Sequence, residues 1–590
     1  MPRSALVVCV CLLAAPGIAP ALDVNTRPVS PVLDWPASDL ERFDAEWIHV
    51  KFVEGSNAVL DGHRFMDGAR PGVEEVNEAL AHAGVQEIRR TIPQHDRAVL
   101  RAKKARAELA SGVVAPDLSL WFDVRVPGGR DEVARVLNEL NASPAIEIAH
   151  PTPIAEPAAI FEHRAGEPAT RVVTPDFTNM QGYLYATPVG LDAPSAWAEA
   201  GGMGLGLQFI DVELAWTENH EDFDFANHFF HAGGAAEDPN IAYIDHGTAV
   251  LGEVIGDHNG FGISGFAPDA DYGIVAININ EWPNVPHRFQ EAIDTLSPGD
   301  VWLIELQMYP PITNQATPME WVQVNYDVIF TGVFADGVVC VEAGANGSQD
   351  LDAPIWDGVF DRKVRDSGAI MVAAGTPVGR VAEWFTNYGS RMDAHAWGSE
   401  IVTTGYGDLY TAGPLTTEYT ASFGGTSGAS PMLTGTALCL QGIAKAQFGF
   451  AMSPIALRNL ITTTGIPHLG AQYIGPRPDL GAAVPALLGA TSSPERASVS
   501  ELRVVAAPNP FRAITTIRFS MPEAGPATLA IHDVAGRRVR TLLDEAVGAG
   551  ERRLLWDGRD DAGRVLASGV YFYRLQAMSE FRTGRVQLLK

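Results

Sequence analysis

A chain of 590 residues, 46% of them hydrophobic, is long enough to bury several cores, and its length alone suggests about three or four domains. Asp and Glu number 71 against 42 Lys and Arg, a formal net charge of −29. That excess of acid excludes nucleic-acid binding, which relies on a basic surface to displace counterions.

Residues 1–21 carry Arg3, the apolar run ALVVCVCLLAA and the small-residue pattern Ala19-Pro20-Ala21, which predict a secretory signal peptide. The run is too short to span a bilayer, so a secreted or cell-surface location is expected. Residues 22–150 predict a small α+β domain. WIHVKFV alternates as a strand, and Val73, Val76, Leu80 and Ala83 form a helical stripe that stops at Gly84. After VQEIRRTI and the basic segment AVLRAKKARAEL come a second strand, LSLWFDVRV, and a helix carrying Val133, Val136, Leu137 and Leu140. A last strand runs through Ile146 and Ile148. The Lys and Arg cluster around Lys103 reads as a solvated helix face with no partner.

Residues 151–175, rich in Pro, Ala, Glu and Thr, read as an exposed linker where processing would occur. From 176 to 488 the short β-rich runs FID, YGIVAI, VWLIEL, VVCVEA and AIMVAA alternate with helix patterns, which predicts an α/β domain: a parallel sheet with helices on both faces. Sites in such sheets gather at the carboxyl ends of strands, where Asp211, Glu305 and Asn346 stand. Residues 489–500 form a second linker, and 501–590 alternate strands with Ala-Gly, Asp-Gly and Ser-Gly turns, predicting a small all-β sandwich. Once Cys9 and Cys11 leave with the signal peptide, Cys340 and Cys439 remain and read as buried free thiols.

Three blocks carry chemistry. GGTSGASP, Gly424 to Pro431, is a glycine turn that presents Ser427 and runs into an apolar, small-residue helix, whose N-terminus favours negative charge. DHGTAVLGEVIG sets His246 at the head of another such helix, and LGLQFIDVE closes a strand with Asp211. A serine hydroxyl becomes a nucleophile when a neutral imidazole takes its proton, and the imidazole needs a carboxylate to fix its tautomer. The order Asp, His, Ser is one in which this constellation is found.

These blocks resemble the subtilisin-like serine peptidases, the subtilase family, over about the middle half of the chain. A fourth, VVCVEAGANGSQD, sets Asn346 where the family keeps the side-chain amide of its oxyanion hole. The resemblance implies a serine endopeptidase acting on protein or peptide substrates through Asp211, His246, Ser427 and Asn346, by way of an acyl-enzyme and with no required cofactor. It also implies that Glu305, Leu306, Gln307 and Gly344 line the substrate cleft, and that 22–150 is a ferredoxin-like inhibitory propeptide whose tail crosses that cleft. The sequence departs from the family where Val212-Glu213 follows the Asp, and where Glu305-Leu306-Gln307 replaces small cleft-lining groups. Asp350, Asp352, Asp357 and Asp361 fall in a loop of the kind that holds structural calcium in this family, with turn formation as the competing reading. The C-terminal residues Pro508-Asn509-Pro510, Trp556-Asp557-Gly558 and Ser568-Gly569-Val570-Tyr571 resemble immunoglobulin-like domains of flagellar-hook-cap type and surface-sorting domains, which implies contact with secretion machinery, with a spacer or adhesive module as the competing reading. Two other readings stand beside the peptidase: a catalytically degenerate fold serving as a surface binding or adhesive protein, and a sedolisin-like acid peptidase, against which the His-Gly-Thr block speaks.

Overall fold

The computed structural model describes residue 30, residues 32–158 other than 69, residues 173–233, 240–277 and 285–492, and most of 503–588. The expected signal peptide, most of the first linker and most of the second lie outside the described residues. The chain divides between Leu487 and Leu488 into two compact units.

In the first unit, strands β1 (Phe43–Phe52), β2 (Glu87–Arg90), β3 (Trp121–Arg125) and β4 (Ile146–Pro153) form an antiparallel sheet in the order β2-β3-β1-β4. Helices α1 (Val73–His82) and α3 (Arg130–Asn141) join its strands, with Val76, Leu80, Val133, Val136 and Leu137 buried in one core. This is a ferredoxin-like order, within the small α+β domain that the strand and helix pattern predicts.

Helix α2 (Arg97–Ser111) corrects the reading of the basic cluster as a solvated face. Lys103 is only 6% exposed. Its Nζ lies 2.7 Å from Asp336 and 3.2 Å from Asp294, and Arg106 pairs with Asp336 at 3.0 Å. Both carboxylates belong to the following domain. Trp121, on β3, donates its indole N–H to Asp327 of that domain at 2.9 Å. A buried Lys needs a paired charge to offset desolvation, so the cluster is a docking surface.

The linker expected from 151 also begins later than composition suggests. Pro151 to Pro153 close β4, and Glu156–Pro157 form a short strand, β5, paired antiparallel with Leu306–Met308.

The larger sheet has seven strands. In chain order they are β6 (Gln208–Glu213), β7 (Phe229–Gly233), β8 (Asp271–Ala276), β9 (Val301–Ile304), β11 (Val339–Ala343), β12 (Ile370–Gly375) and β13 (Ala394–Trp397), with β10 (Leu306–Met308) outside the sheet. The spatial order is β13-β12-β11-β9-β6-β8-β7, and every pair is parallel. Burial on both faces explains why these strands read as continuous apolar runs. The run VWLIEL is not one strand: it breaks at Glu305, and β10 leaves the sheet to pair with β5.

Two helices bring the chemistry to the strand ends. Helix α4 (Ile241–Ile255) starts five residues before His246, capped by the Asn240 side chain accepting from the Ala242 N–H, so His246 stands in its second turn rather than at its head. Helix α5 (Thr426–Phe448) is buried from Thr426 through Ala444, as its small-residue apolar sequence predicts. Its glycines allow that depth. A Cβ at Gly442 would meet the Gly201 carbonyl oxygen at 2.0 Å, and one at Gly435 would meet Phe266 Cβ at 2.3 Å. Cys340 and Cys439 are buried and free.

In the second unit, one antiparallel sheet contains Arg503–Ala507, Thr515–Met521 and Gly550–Trp556. Another contains Arg538–Val547, Gly525–His532, Gly569–Ala577 and Glu580–Leu588. Alternate residues such as Ile517, Phe519, Leu529, Ile531, Leu575 and Val586 bury around Trp556, the all-β pattern expected there.

Candidate active site

Strand β6 runs two residues further than its apolar pattern suggested, and this moves the acid. Residues 211 and 213 lie on one face of a strand because side chains alternate with period two. The later of them, at the strand's carboxyl end, reaches the imidazole: Glu213 Oε1 contacts His246 Nδ1. Asp211 is instead held by Trp216, whose indole N–H donates to Asp211 Oδ2 at 2.7 Å. The expected partnership of Asp211 with His246 is thus replaced by Glu213 with His246. The signal was present as a second acid on the same strand face, but an apolar run gives no mark of its last residue when both faces are buried.

His246 follows from its neighbours. A Cβ at Gly247 would meet the Ala215 carbonyl at 2.3 Å and Trp216 Cδ1 at 2.5 Å, so glycine there lets α4 press against the loop after β6. Burial pushes the imidazole down to about 4, and the nearby Asp211 acts in the opposite direction. The ring is therefore neutral at pH 7, the form that accepts a proton. Its Nε2 and Ser427 Oγ are both buried, and neither makes a hydrogen bond of normal geometry to a described residue. Helices α4 and α5, which carry them, pack against each other, and Phe423, four residues before Ser427, meets the His246 ring edge-on at 5.5 Å.

Asn346 is oriented without ambiguity. Its Oδ1 accepts from the Thr426 N–H at 3.0 Å and the Thr426 hydroxyl at 3.1 Å, so its NH2 points the other way. There the Nδ2 donates to the Ala158 carbonyl oxygen at 2.5 Å. Ala345, just before it, holds φ at 65°, a left-handed conformation that disfavours any residue with a Cβ.

The four expected cleft residues divide by role. Glu305 accepts from the Ala158 N–H at 3.1 Å through its backbone carbonyl. Leu306 and Gln307 stand opposite Pro157 and Glu156 in the β10–β5 ribbon. Gly344 gives its N–H to Val372 and its carbonyl accepts from Asn387, which ties the Asn346 loop to β12. The Glu305 carboxyl, expected in the cleft, accepts from Ser430 Oγ at 2.5 Å, under the first turn of α5.

Sequence reading missed a fourth buried acid, Glu253, about two turns beyond His246 on α4. Both of its carboxyl oxygens lack a hydrogen-bond partner among the described residues. Burial pushes Asp211, Glu213, Glu253 and Glu305 well above the usual carboxylate range. Mutual repulsion adds to this for Asp211 beside Glu213 and for Glu305 beside both, as well as for Glu253 beside Glu305. In the suggested calcium loop, Asp352 accepts from the Ser390 N–H and hydroxyl, and Asp361 from the Lys363 N–H. Among the described residues no three His, Cys, Asp or Glu side chains gather as a metal site.

Residues 217–490 match the subtilase family, and residues 512–580 match the FlgD Ig-like domain. The region 217–490 thus resembles the subtilases, and this resemblance supports a serine endopeptidase. An intracellular serine protease of Paenibacillus polymyxa is 26% identical over 268 residues, which cover 44% of this chain and 73% of that protein. Among solved structures, fervidolysin from Fervidobacterium pennivorans, described as a keratinolytic enzyme related to subtilisin, is 14% identical with a TM-score of 0.49, covering 97% of this chain and 81% of its own. A protease from Pseudoalteromonas arctica is 19% identical with a TM-score of 0.39, covering 53% of this chain and all of its own.

Proposed function

We propose that the chain is the precursor of a secreted serine endopeptidase, and that it cuts itself between Ala158 and Ala159. The observation that carries this reading is the tail. It enters as strand β5, its Ala158 N–H is bound by the Glu305 carbonyl, and its Ala158 carbonyl is held by the Asn346 amide. A peptide held as an added strand with one carbonyl on a side-chain amide is posed for acyl transfer.

In this mechanism Ser427 Oγ attacks the Ala158 carbonyl carbon while His246 Nε2 takes its proton. Glu213 holds Nδ1–H and stabilises the imidazolium. The oxyanion is bound by Asn346 Nδ2 and the Ser427 backbone N–H; in subtilisin the loss of the corresponding side-chain amide costs about 2.7–4 kcal/mol of transition-state stabilisation. Collapse breaks the bond to Ala159, whose amine leaves with the proton from His246. Water then hydrolyses the ester, with His246 again as base, leaving a free carboxylate on Ala158.

The test is direct. Ser427→Ala should leave the full-length chain uncut, and the parent should yield a mature form whose N-terminus is Ala159. Processing of the Ser427→Ala chain in isolation, or a mature N-terminus far from residue 159, overturns the reading. Residues 1–21 support export, residues 22–158 an inhibitory role, and the C-terminal unit contact with secretion machinery.

A further inference from the structure

The tail also shows which side chain the cleft admits. Opposite residues in an antiparallel ribbon share a face, and diagonal neighbours two residues along remain within reach of long side chains. Glu156 stands opposite Gln307 and Pro157 opposite Leu306, so Ala158 lies beyond them, opposite Glu305, with its methyl on the Gln307 face. Gln307 does not extend to solvent. Its Oε1 accepts from the Asn346 N–H at 3.1 Å and its Nε2 donates to the Tyr309 hydroxyl at 3.3 Å, so the side chain bridges from β10 to the Asn346 loop. Ala158 is 0% exposed, and Gln307, its diagonal neighbour on that face, is itself 3% exposed.

We infer that Gln307, bonded across to Asn346 beside the Ala158 methyl, restricts this peptidase to substrates with a small residue, alanine or glycine, on the acyl side of the cut bond. This rests on the reading of Ala158 as the residue whose carbonyl is attacked. A larger side chain there would have to displace the Gln307 amide and leave the Asn346 N–H without its acceptor. Unpairing a buried polar group discriminates more strongly than a lack of space alone.

The experiment uses the self-processed enzyme and a peptide library, with Ser427 labelled by a fluorophosphonate to count active sites. Cleavage after Ala should exceed cleavage after Leu or Phe by about 100-fold in kcat/KM. In Gln307→Gly that ratio should fall by at least about tenfold. A second arm uses the precursor: Ala158→Gly should still process, and Ala158→Phe should stall. Equal cleavage after bulky residues by the parent, or an unchanged ratio in Gln307→Gly, overturns the inference while leaving the peptidase intact. An enzyme that takes no label and cuts no peptide overturns the peptidase reading and this inference with it.

Discussion

The exchange of Glu213 for Asp211 at the imidazole gives a prediction that separates two acids only two residues apart. Glu213→Gln should lower peptidase activity by about 10^4-fold, the scale seen when the acid behind a catalytic histidine becomes an amide. Asp211→Asn, whose carboxyl is bonded to Trp216, should cost about tenfold or less, the general scale of a surrounding charge. Measured kcat/KM values in the reverse order would return the acid's role to Asp211. Self-processing, for which His246 must be neutral, should hold across neutral pH and fall as the pH drops through about 4. Glu253 makes a second prediction. Burial raises its pKa far above its ordinary 4.5, so the folded carboxyl keeps a proton that the unfolded chain gives up above that pH. Its contribution to stability is therefore complete below 4.5 and is lost as pH rises towards the folded value. Glu253→Gln has no such proton to lose and should melt higher than the parent at pH 8, by roughly 2–4 °C per kcal/mol gained. The gain should vanish at pH 4, and an equal gain at both pH values in a melting curve would contradict this.

At the scale of elements, the sequence pattern reads well where one periodicity rules and poorly where an element ends. Helix α5 was legible because apolar and small residues alternate without a polar face, a pattern that fits only burial on every side. Strand β6 was legible as a strand but not in its length, because Val212 pairs into the sheet like its predecessors and Glu213 is an acid that composition alone would place outside. The break of VWLIEL at Glu305 was hidden for the opposite reason. Leu306 is as buried as Ile304, and only the pairing with β5 shows that it belongs to a different ribbon. The linker reading failed at its start because Pro and Ala are poor strand formers in isolation, whereas here β10 supplies the pairing. Ser427, His246 and Asn346 are each read from local signals: a glycine turn, a small-residue helix, and a strand followed by a tight loop. The partner of His246 is not, because it depends on how far a strand runs.

For the whole molecule, the N-terminal module and the peptidase domain share one compact unit. The buried contacts of Lys103 with Asp336 and Asp294 help hold them together. Lys103→Glu would bring a like charge against both carboxylates, so freshly processed enzyme should show a shorter lag before peptide cleavage begins than the parent. Lags of equal length in a progress curve would mean that the docking contact does not govern release.

While the bond after Ala158 is intact, the tail has no rival for the cleft. Both belong to one molecule, and its local concentration, about millimolar for a short tether, does not fall however far the solution is diluted. The proposed cut after Ala158 would turn that intramolecular contact into an encounter between two bodies, and the volume into which the chain is released would then decide how many molecules are open.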